Sequence, residues 1–340
     1  MAKVTIKDIA KKAGVSKTSV SFAFNEPSQL PEATVQRILE AAEELGYVPD
    51  PIARILKTGK TGTIGILVPQ PIHEITRNPF FSEFIEGVGE VCTMDGFSMM
   101  IVPPLKGSME RAIANATVDG FLTLGLELKK SAMVVLDNRD VPFVMVDSDP
   151  EDGVAAVNID DEKGGFLAMD YILQAGHKKI AIIAMRSGKE GKYKDYLGTL
   201  RKRVKGYQTA LEAFDLSMDH EKIRLIECAS TLQGGRHAFD EIWKSDLRPT
   251  AVVAMSDIIA LGIMRAARDQ AVKIPDALSL IGFDDIPFAS LISPPLTTIS
   301  QPIRKKGKVA AELLVEHIKG NADISHKILP VKLVERGTVR

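Results

Sequence analysis

Three polar side chains near the N-terminus could do chemistry, and the chemistry would be hydrogen bonding to DNA bases. Lys17, Thr18 and Ser21 follow a glycine-centred turn in the segment AKKAGVSKTSVSFAFN. Serine and threonine hydroxyls can donate to or accept from base edges, and lysine favours guanine or phosphate. A small helical bundle with a solvated, lysine-rich face is the alternative interpretation of the same residues.

Motifs that would indicate catalysis are missing from the sequence. The segment TGKT at 58–61 superficially resembles a phosphate-binding loop, but Arg54 stands where that loop needs its first glycine. There is no dinucleotide fingerprint, no pair of zinc-binding histidines and no serine-hydrolase elbow. The six histidines are scattered. We therefore expect a binding protein without a cofactor or a metal, and not an enzyme.

The charge of the chain is balanced overall but positive at its start. The net charge of the 340 residues is −1, and residues 1–25 contain five lysines against one aspartate. A DNA-facing surface would therefore be confined to the N-terminus. Cys92 and Cys228 are too far apart in sequence for a metal motif, and there is neither a membrane-length apolar run nor a signal-peptide core. We expect a cytoplasmic, nucleoid-associated protein without a membrane partner.

Short amphipathic helices are predicted throughout residues 1–48, which we expect to form a helix-turn-helix DNA-binding domain. Thr5 can cap the first helix, Gly14 can end it, and Ser16 can cap the second. Pro31 to Leu45 has the periodicity of a third helix. These elements would present Lys17 and its neighbours at the start of the second helix.

Residues 49–61 are predicted to form a hinge helix and linker. Asp50 at the cap and Pro51 at the first helical position would begin a helix of barely two turns. Such a short helix is only marginally stable alone in water, because helix nucleation is costly. It is therefore a candidate hinge.

From residue 63 the pattern changes to short apolar strands that alternate with amphipathic helices. Strands apolar on both faces are typical of doubly wound parallel sheets. We predict eight such strands, at TIGILVP (63–69), SMMIVPP (98–104), DGFLTLG (119–125), VPFVMVD (141–147), KIAIIAM (179–185), IRLIEC (223–228), TAVVAMS (250–256) and LSLIGFD (278–284). We expect two α/β lobes in an effector-binding and dimerisation core, since about 280 residues exceed one such sheet. The predicted division is lobe one, about 62–162 and 300–323, and lobe two, about 163–299 and 324–340. Ligands of such folds bind at the carboxyl ends of the strands.

Long stretches of the sequence resemble one family. The segments VTIKDIAKKAGVSKTSVSFAFN and LPEATVQRILEAAEELGYVPDPIARILKTGKTGTIGILVP resemble the DNA-binding head, hinge helix and first core strand of the lactose-repressor/galactose-repressor (LacI/GalR) family. The likeness continues in order through NPFF, VDGF, GHKKIAII, RVKGYQTAL, SDIIALGIMRAA and GFDD…PPLTTISQP. It implies a periplasmic-binding-protein-like core and a sequence-specific transcriptional regulator, in most cases a repressor.

For the N-terminal domain the resemblance implies a dimer on a palindromic DNA operator. The second helix would enter the major groove, and Leu56, beside Ala53, would wedge into a minor-groove base step. The residues implied to contact DNA are Thr5, Ser16, Lys17, Thr18, Ser21, Asn25, Tyr47, Ala53 and Leu56. Packing within a linker is the alternative for Leu56. Phe22 stands where the family often has a long polar residue, and it could touch a thymine methyl group or pack inward.

For the core the resemblance implies a small-molecule effector, most often a sugar. The implied effector-binding residues are Phe80, Phe81, Asp147, Arg203, Ser256 and Asp284. Arg203 and Asp284 would bond paired hydroxyls, and Phe80 or Phe81 would cover the apolar face of the ring. A solvated helix face for Arg203 and a loop cap for Asp284 are the alternatives. Ser230 stands where family members commonly have an aromatic residue, so a purine would be less well held.

The two ends of the sequence bear on the class of protein and on its oligomeric state. An exported sugar-binding protein could share the core fold, but it would have a signal peptide and no use for a DNA-binding head. The sequence ends directly after the last predicted strand, without the heptad tail of some family members. We expect a homodimer and not a tetramer.

Overall fold

The computed structural model describes residues 4–187, 192–321 and 323–340, and the chain forms two compact units. We call Met1–Thr61 the head unit and Gly62–Arg340 the core unit. The head unit contains the helices α1 (Ile6–Ala13), α2 (Lys17–Asn25), α3 (Glu32–Glu44) and α4 (Pro51–Thr58), with a 3₁₀ turn at Pro27–Gln29.

A small hydrophobic core holds α1, α2 and α3 together. Ile9, Val20 and Ile38 contribute one fully buried side chain from each helix. Burial of a side chain of this size is worth about 1.5–3 kcal/mol relative to exposure. Alanines at the same interface leave little side-chain volume between the helices, which lets their backbones approach.

The ends of the first two helices follow the predicted signals. Thr5 and Asp8 form a reciprocal capping box at the start of α1, and Gly14 ends that helix with a φ of +65°. The Ser16 hydroxyl accepts the Ser19 N–H at 3.0 Å and so caps α2. This cap fixes the turn between the two helices.

Helix α4 has the short length that the sequence predicts. The Asp50 carboxylate accepts the Ile52 N–H at 3.1 Å at its start, and Gly59 ends it with a φ of +69°. Eight residues give barely more than two turns, so the stability of α4 must come from contacts outside the helix.

The core unit is an α/β structure with two six-stranded sheets. Its strands are β1 (Thr63–Leu67), β2 (Ser98–Val102), β3 (Gly120–Leu124), β4 (Phe143–Val146), β5 (Ala155–Ile159), β6 (Ile180–Met185), β7 (Ile223–Cys228), β8 (Ala251–Ala254), β9 (Ser279–Asp284), β10 (Thr297–Ser300), β11 (His326–Leu329) and β12 (Lys332–Val334). The first lobe has the order β2-β1-β3-β4-β5-β11, and the second has β7-β6-β8-β9-β10-β12. All pairings are parallel except that of β12 with β10.

Helices connect these strands, as expected for doubly wound sheets. They are α5 (Ile72–Ile75), α6 (Pro79–Asp95), α7 (Met109–Asn115), α8 (Lys130–Asn138), α9 (Asp161–Gln174), α10 (Gly198–Glu212), α11 (Leu232–Trp243), α12 (Asp257–Asp269), α13 (Pro287–Leu291) and α14 (Ile303–Ile318). The fold class is therefore the one that the sequence predicts. No helix within the described part of the chain is long and apolar enough to cross a membrane.

The predicted boundary between the lobes at residues 323 and 324 is wrong. His326–Leu329 forms β11, which pairs with β5 in the first lobe, and the chain enters the second lobe only at β12. The signal was weak because β11 is a largely exposed edge strand and therefore has no apolar run. The chain thus passes between the lobes after β5, after β10 and after β11.

Two helices that carry predicted or structural site residues, α14 and α10, pack very closely against neighbouring helices of their own lobes. A Cβ atom on Gly307 of α14 would lie 2.2 Å from the backbone oxygen of Phe84 in α6. A Cβ atom on Gly206 of α10 would lie 2.0 Å from the backbone oxygen of Glu162 in α9. Only glycine allows the helices to approach this closely. The close packing fixes the positions of α14 and α10, whose polar side chains reach the region between the lobes.

Candidate functional sites

The N-terminal end of α2 is an exposed polar surface of the head unit. Lys17 and Thr18 form its first turn and are both exposed. The backbone N–H groups of a helix N-terminus favour anions such as phosphate. The hydroxyls of Thr5 and Ser16 are also exposed, although each already takes part in a helix cap. This surface can therefore bind a phosphate backbone and reach base edges.

The second half of α2 is tied to α4. Asn25 donates to the backbone oxygen of Ser21 at 2.8 Å, and the Lys57 ammonium donates to the Ser21 hydroxyl at 2.6 Å. The same ammonium lies 5.9 Å from the centre of the half-buried Phe22 ring. Lys57 could not be identified from the sequence, because no linear motif shows that it reaches a side chain 36 positions earlier.

Tyr47 packs against the head unit. Its ring lies 5.7 Å from the ring of Phe24, in a tilted arrangement, and it is half-buried. The residue therefore stabilises the end of α3 against α2, and its hydroxyl is the part of it that could contact DNA.

Helix α4 exposes an apolar face. Leu56 is 83% exposed and Ile52 is 68% exposed, while Ala53 beside them is also exposed. Large apolar side chains at this exposure on one short helix are typical of a surface that a partner covers. The packing alternative for Leu56 is not supported, because that side chain is not covered within the head unit.

In the core unit, the predicted effector residues stand at the carboxyl ends of strands. Asp147 follows β4, Ser256 follows β8, and Asp284 ends β9. Arg203 joins them from α10 and donates to the backbone oxygen of Met255 at 2.5 Å. The structure thus brings the four polar residues together where the two lobes meet.

Arg203 is buried and not a solvated helix residue. Its Nε donates to Asp161 at 2.9 Å, and its guanidinium carbon lies 3.5 Å from the centre of the Phe283 ring. Burial alone would lower the pKa of Arg203, but the carboxylates of Asp161 and Asp284 raise it above its usual value. Within the described structure the Nη2 group makes no hydrogen bond, which leaves donors for a ligand.

Asp284 combines an unusual backbone with an unusual carboxyl group. Its φ is +123°, a region that side chains rarely adopt and that concentrates at functional sites. Burial raises the pKa of Asp284 to about 7, although Arg203 acts in the opposite direction. Such a carboxyl group can accept or donate a hydrogen bond near neutral pH.

Asp147 has a buried counter-charge that sequence analysis missed. Both of its carboxylate oxygens accept from Lys306, at 2.6 and 2.8 Å, and Lys306 also donates to Gln301 at 2.5 Å. Gln301 in turn donates to Asp284 at 2.6 Å. The available signal was a lysine on the face of α14 that also carries Ile303.

The remaining predicted residues divide between the site and the core. Ser256 is buried, and its hydroxyl lies 3.2 Å from that of Ser230, so the position without the expected aromatic residue is polar. Phe81 packs into the hydrophobic core of the first lobe. Phe80 is half-buried, with its ring centre 5.4 Å from the Lys306 ammonium. Phe80 is thus the better placed aromatic residue for a ligand.

Charged residues bridge the lobes beside this site. Asp149, from the first lobe, accepts from the Gly198 N–H at the start of α10 at 3.1 Å and pairs with Arg201 at 2.9 Å and Lys202 at 3.2 Å. Partial burial raises the pKa of Asp149, but hydrogen bonds from the Gly198 N–H and from Lys202 outweigh this effect, so that the pKa is lowered. These contacts hold the rim of the two lobes together.

Profiles of known protein families match both the head unit and the core unit of this chain. The profile for bacterial regulatory proteins of the lacI family matches residues 5–50, and that for a periplasmic binding protein-like domain matches residues 169–339. The HTH-type transcriptional repressor PurR of Vibrio atlanticus is 36% identical over 345 residues, which cover 99% of this chain and 98% of that repressor.

Solved structures show the same fold along the whole chain. The transcriptional regulator CelR in complex with cellobiose is 27% identical, with a TM-score of 0.72 over 99% of this chain and 100% of that one. The lac repressor dimer bound to operator and an anti-inducer is 24% identical, with a TM-score of 0.82 over 99% of each chain. The chain belongs to the lacI family of bacterial regulatory proteins, which are DNA-binding transcriptional repressors with an effector-binding core and not enzymes.

Proposed function

We propose that this repressor binds a palindromic operator as a homodimer, and that a sugar between the lobes of its core controls its affinity for DNA. The observation that carries the proposal is the convergence of Asp147, Arg203, Ser256 and Asp284 at the strand ends. Because its target is chromosomal DNA, we also propose that it works in the cytoplasm, on the nucleoid.

The DNA contacts follow from the exposed surfaces of the head unit. Lys17, Thr18, Ser21 and Asn25 would read the major groove and its phosphates, with Thr5, Ser16 and Tyr47 at the flanks. Two copies of α4 would meet in the minor groove, where Leu56 and Ala53 would replace water with base contacts. Effector binding would change the angle between the lobes and so shift α4 between ordered and frayed states.

A sugar fits the core site because the site offers fixed donors and acceptors beside one aromatic ring. The guanidinium of Arg203 and the carboxyl of Asp284 can bond neighbouring hydroxyls, and Phe80 can cover the apolar ring face. The CelR structure contains cellobiose, which supports a sugar for this site. Ser230 gives no second aromatic face, and this favours a sugar over a purine.

A second copy of the chain suits an apolar groove that is lined mostly by the second lobe, with Arg77 and Pro79 contributed by the first lobe. The groove has a volume of about 870 Å³, and Leu261, Met264, Phe288 and Ile292 are among the side chains that line it. Phe288 is 52% exposed. The lac repressor of the same fold is a dimer, which supports this use of the groove.

A ligand screen followed by DNA binding tests the proposal. The full chain is heated with neutral sugars, purine bases and amino acids, because a ligand raises the melting temperature by mass action. We expect a neutral sugar to raise it and to change operator affinity by about 5- to 150-fold. Stabilisation by a purine alone, or by no compound, would contradict the sugar assignment.

A further inference from the structure

A fully buried lysine stands beside the proposed effector site. Lys306 lies on α14, where Ile303 and Ala310 occupy neighbouring buried positions of the same helix. Burial of an ammonium group is costly unless the group is paired and hydrogen-bonded. All three N–H donors of Lys306 are used, two by Asp147 and one by Gln301. The lysine therefore holds Asp147 in place, and it has no N–H group left for a ligand.

The lysine also connects the two lobes. The hydrogen bonds run from Asp147 at the end of β4, through Lys306 and Gln301, to Asp284 at the end of β9. Gln301 lies where the chain passes between the lobes after β10. The chain of bonds fixes the orientation of both carboxyl groups relative to each other.

The charges around the site are paired with one another. Arg203 is matched by Asp161, and Lys306 is matched by Asp147. A ligand anion would meet a guanidinium whose charge Asp161 already balances, and a ligand cation would have to compete with Lys306 for Asp147. Hydroxyl groups can bond to the same carboxylates without breaking either pair, because each carboxylate oxygen accepts more than one hydrogen bond.

We propose that Lys306 is a positioning residue that sets the charge preference of the effector site. It holds Asp147 as a fixed hydrogen-bond acceptor and balances its charge, so that the site takes an uncharged polyhydroxyl ligand and rejects its anionic and cationic counterparts. This inference rests on the proposed function, because it concerns the same site.

A double-mutant cycle on the full chain tests the pairing without any ligand. The variants are Lys306→Met, Asp147→Asn and the two combined, with the exposed neighbour Lys305→Met as the matched control. Each of the two single variants should lower the melting temperature, and the double variant should lose less than their sum, since it leaves no buried unpaired charge. Additive losses would overturn the inference and leave the proposed function standing.

Sugars that differ only in charge test the preference itself. Calorimetry compares D-glucose, D-glucuronate and D-glucosamine, and likewise D-ribose and D-ribose 5-phosphate, with wild type and Lys306→Met. We expect the wild type to prefer the neutral member by at least about tenfold, and the variant to shift toward the amino sugar, because Asp147 can then pair with its ammonium.

The outcomes separate the two claims. If Lys306 had only a structural role, Lys306→Met would lower the affinity for every sugar equally. The preference between glucose and glucosamine would then not be reversed. An anionic sugar that binds the wild type more tightly than its neutral counterpart would overturn the inference and uphold the sugar-binding function. Failure of every sugar, in a chain whose double-mutant cycle is non-additive, would instead overturn the proposed function.

Discussion

At the scale of single residues, Arg203 stabilises the core in addition to making its proposed contact with the effector. Truncation of Arg203 to alanine would leave the carboxylate of Asp161 buried without its partner. We therefore expect Arg203→Ala to lower the free energy of unfolding of the core by about 3–5 kcal/mol, measured with urea. Combination with Asp161→Asn should recover part of that loss.

The matched control for this prediction is Arg201→Ala in the same helix. Arg201 is 57% exposed and pairs with Asp149 at the surface, so its loss should cost less than about 1 kcal/mol. Equal effects of the two substitutions would mean that Arg203 is not buried as described.

The carboxyl group of Asp284 predicts a pH dependence of stability. Its pKa is about 7 in the folded chain, whereas the pKa of an unfolded aspartate is about 4. Between these values the folded state binds more protons, so the free energy of unfolding falls as the pH rises and levels off above pH 7. Asp284→Asn should flatten this fall, when urea unfolding is followed from pH 5 to pH 8.

The exposed Asp246→Asn variant is the control, and it should keep the wild-type slope. An unchanged slope in Asp284→Asn would show that the carboxyl group ionises as an ordinary aspartate. Asp161 and Asp257 also have raised pKa values through burial, so the slope should flatten without disappearing.

Residues that occupy family motifs could be predicted from the sequence, whereas residues that act through a partner side chain could not. Arg203 and Asp284 stand in recognisable segments, and the structure brings them together. Lys306 and Lys57 have no motif, because their importance depends on side chains 159 and 36 positions away. Only the folded chain places those partners beside them.

At the scale of elements, α4 exposes an apolar face that its packing in the head unit does not explain. Leu56 is exposed in the head unit, so Leu56→Ala should leave the melting temperature nearly unchanged. If the leucine enters a base step, its loss should weaken operator binding by about ten- to a hundredfold in fluorescence anisotropy.

Leu105→Ala, at an exposed leucine of the core unit, is the control for this effect. It should bind the same DNA with wild-type affinity. Equal affinities of Leu56→Ala and wild type would mean that the apolar face of α4 does not enter the DNA.

Elements with a strong apolar run were predictable, and those without one were not. The eight strands from β1 to β4 and from β6 to β9 have such runs, and all were predicted. Strand β5 was not predicted, because an asparagine interrupts its short apolar run, and β10 buries threonines. Strand β11 is a polar edge and β12 has three residues, so each of these four strands depends on its neighbours in the sheet. Packing against tertiary partners, and not local sequence, creates these strands.

At the scale of the whole molecule, the apolar groove of the second lobe predicts self-association. Phe288→Glu would replace an exposed phenyl ring of that groove by a hydrated carboxylate, and removal of its water by a partner copy is costly. We expect this variant to sediment as a monomer at concentrations where the wild type is a dimer. Phe214→Glu, at another exposed phenylalanine outside the groove, should remain dimeric. A dimeric Phe288→Glu variant would place the interface elsewhere.

The central claim, that two copies of this chain recognise a palindromic operator, is tested most directly by selection of bound duplexes from random DNA. Two heads related by two-fold symmetry should enrich an inverted repeat, bound less tightly as salt rises because lysine contacts release counterions from phosphate. Enrichment of an inverted repeat, with affinity that depends on both half-sites, is the predicted result. Enrichment of a single half-site, or of no sequence at all, would contradict the account.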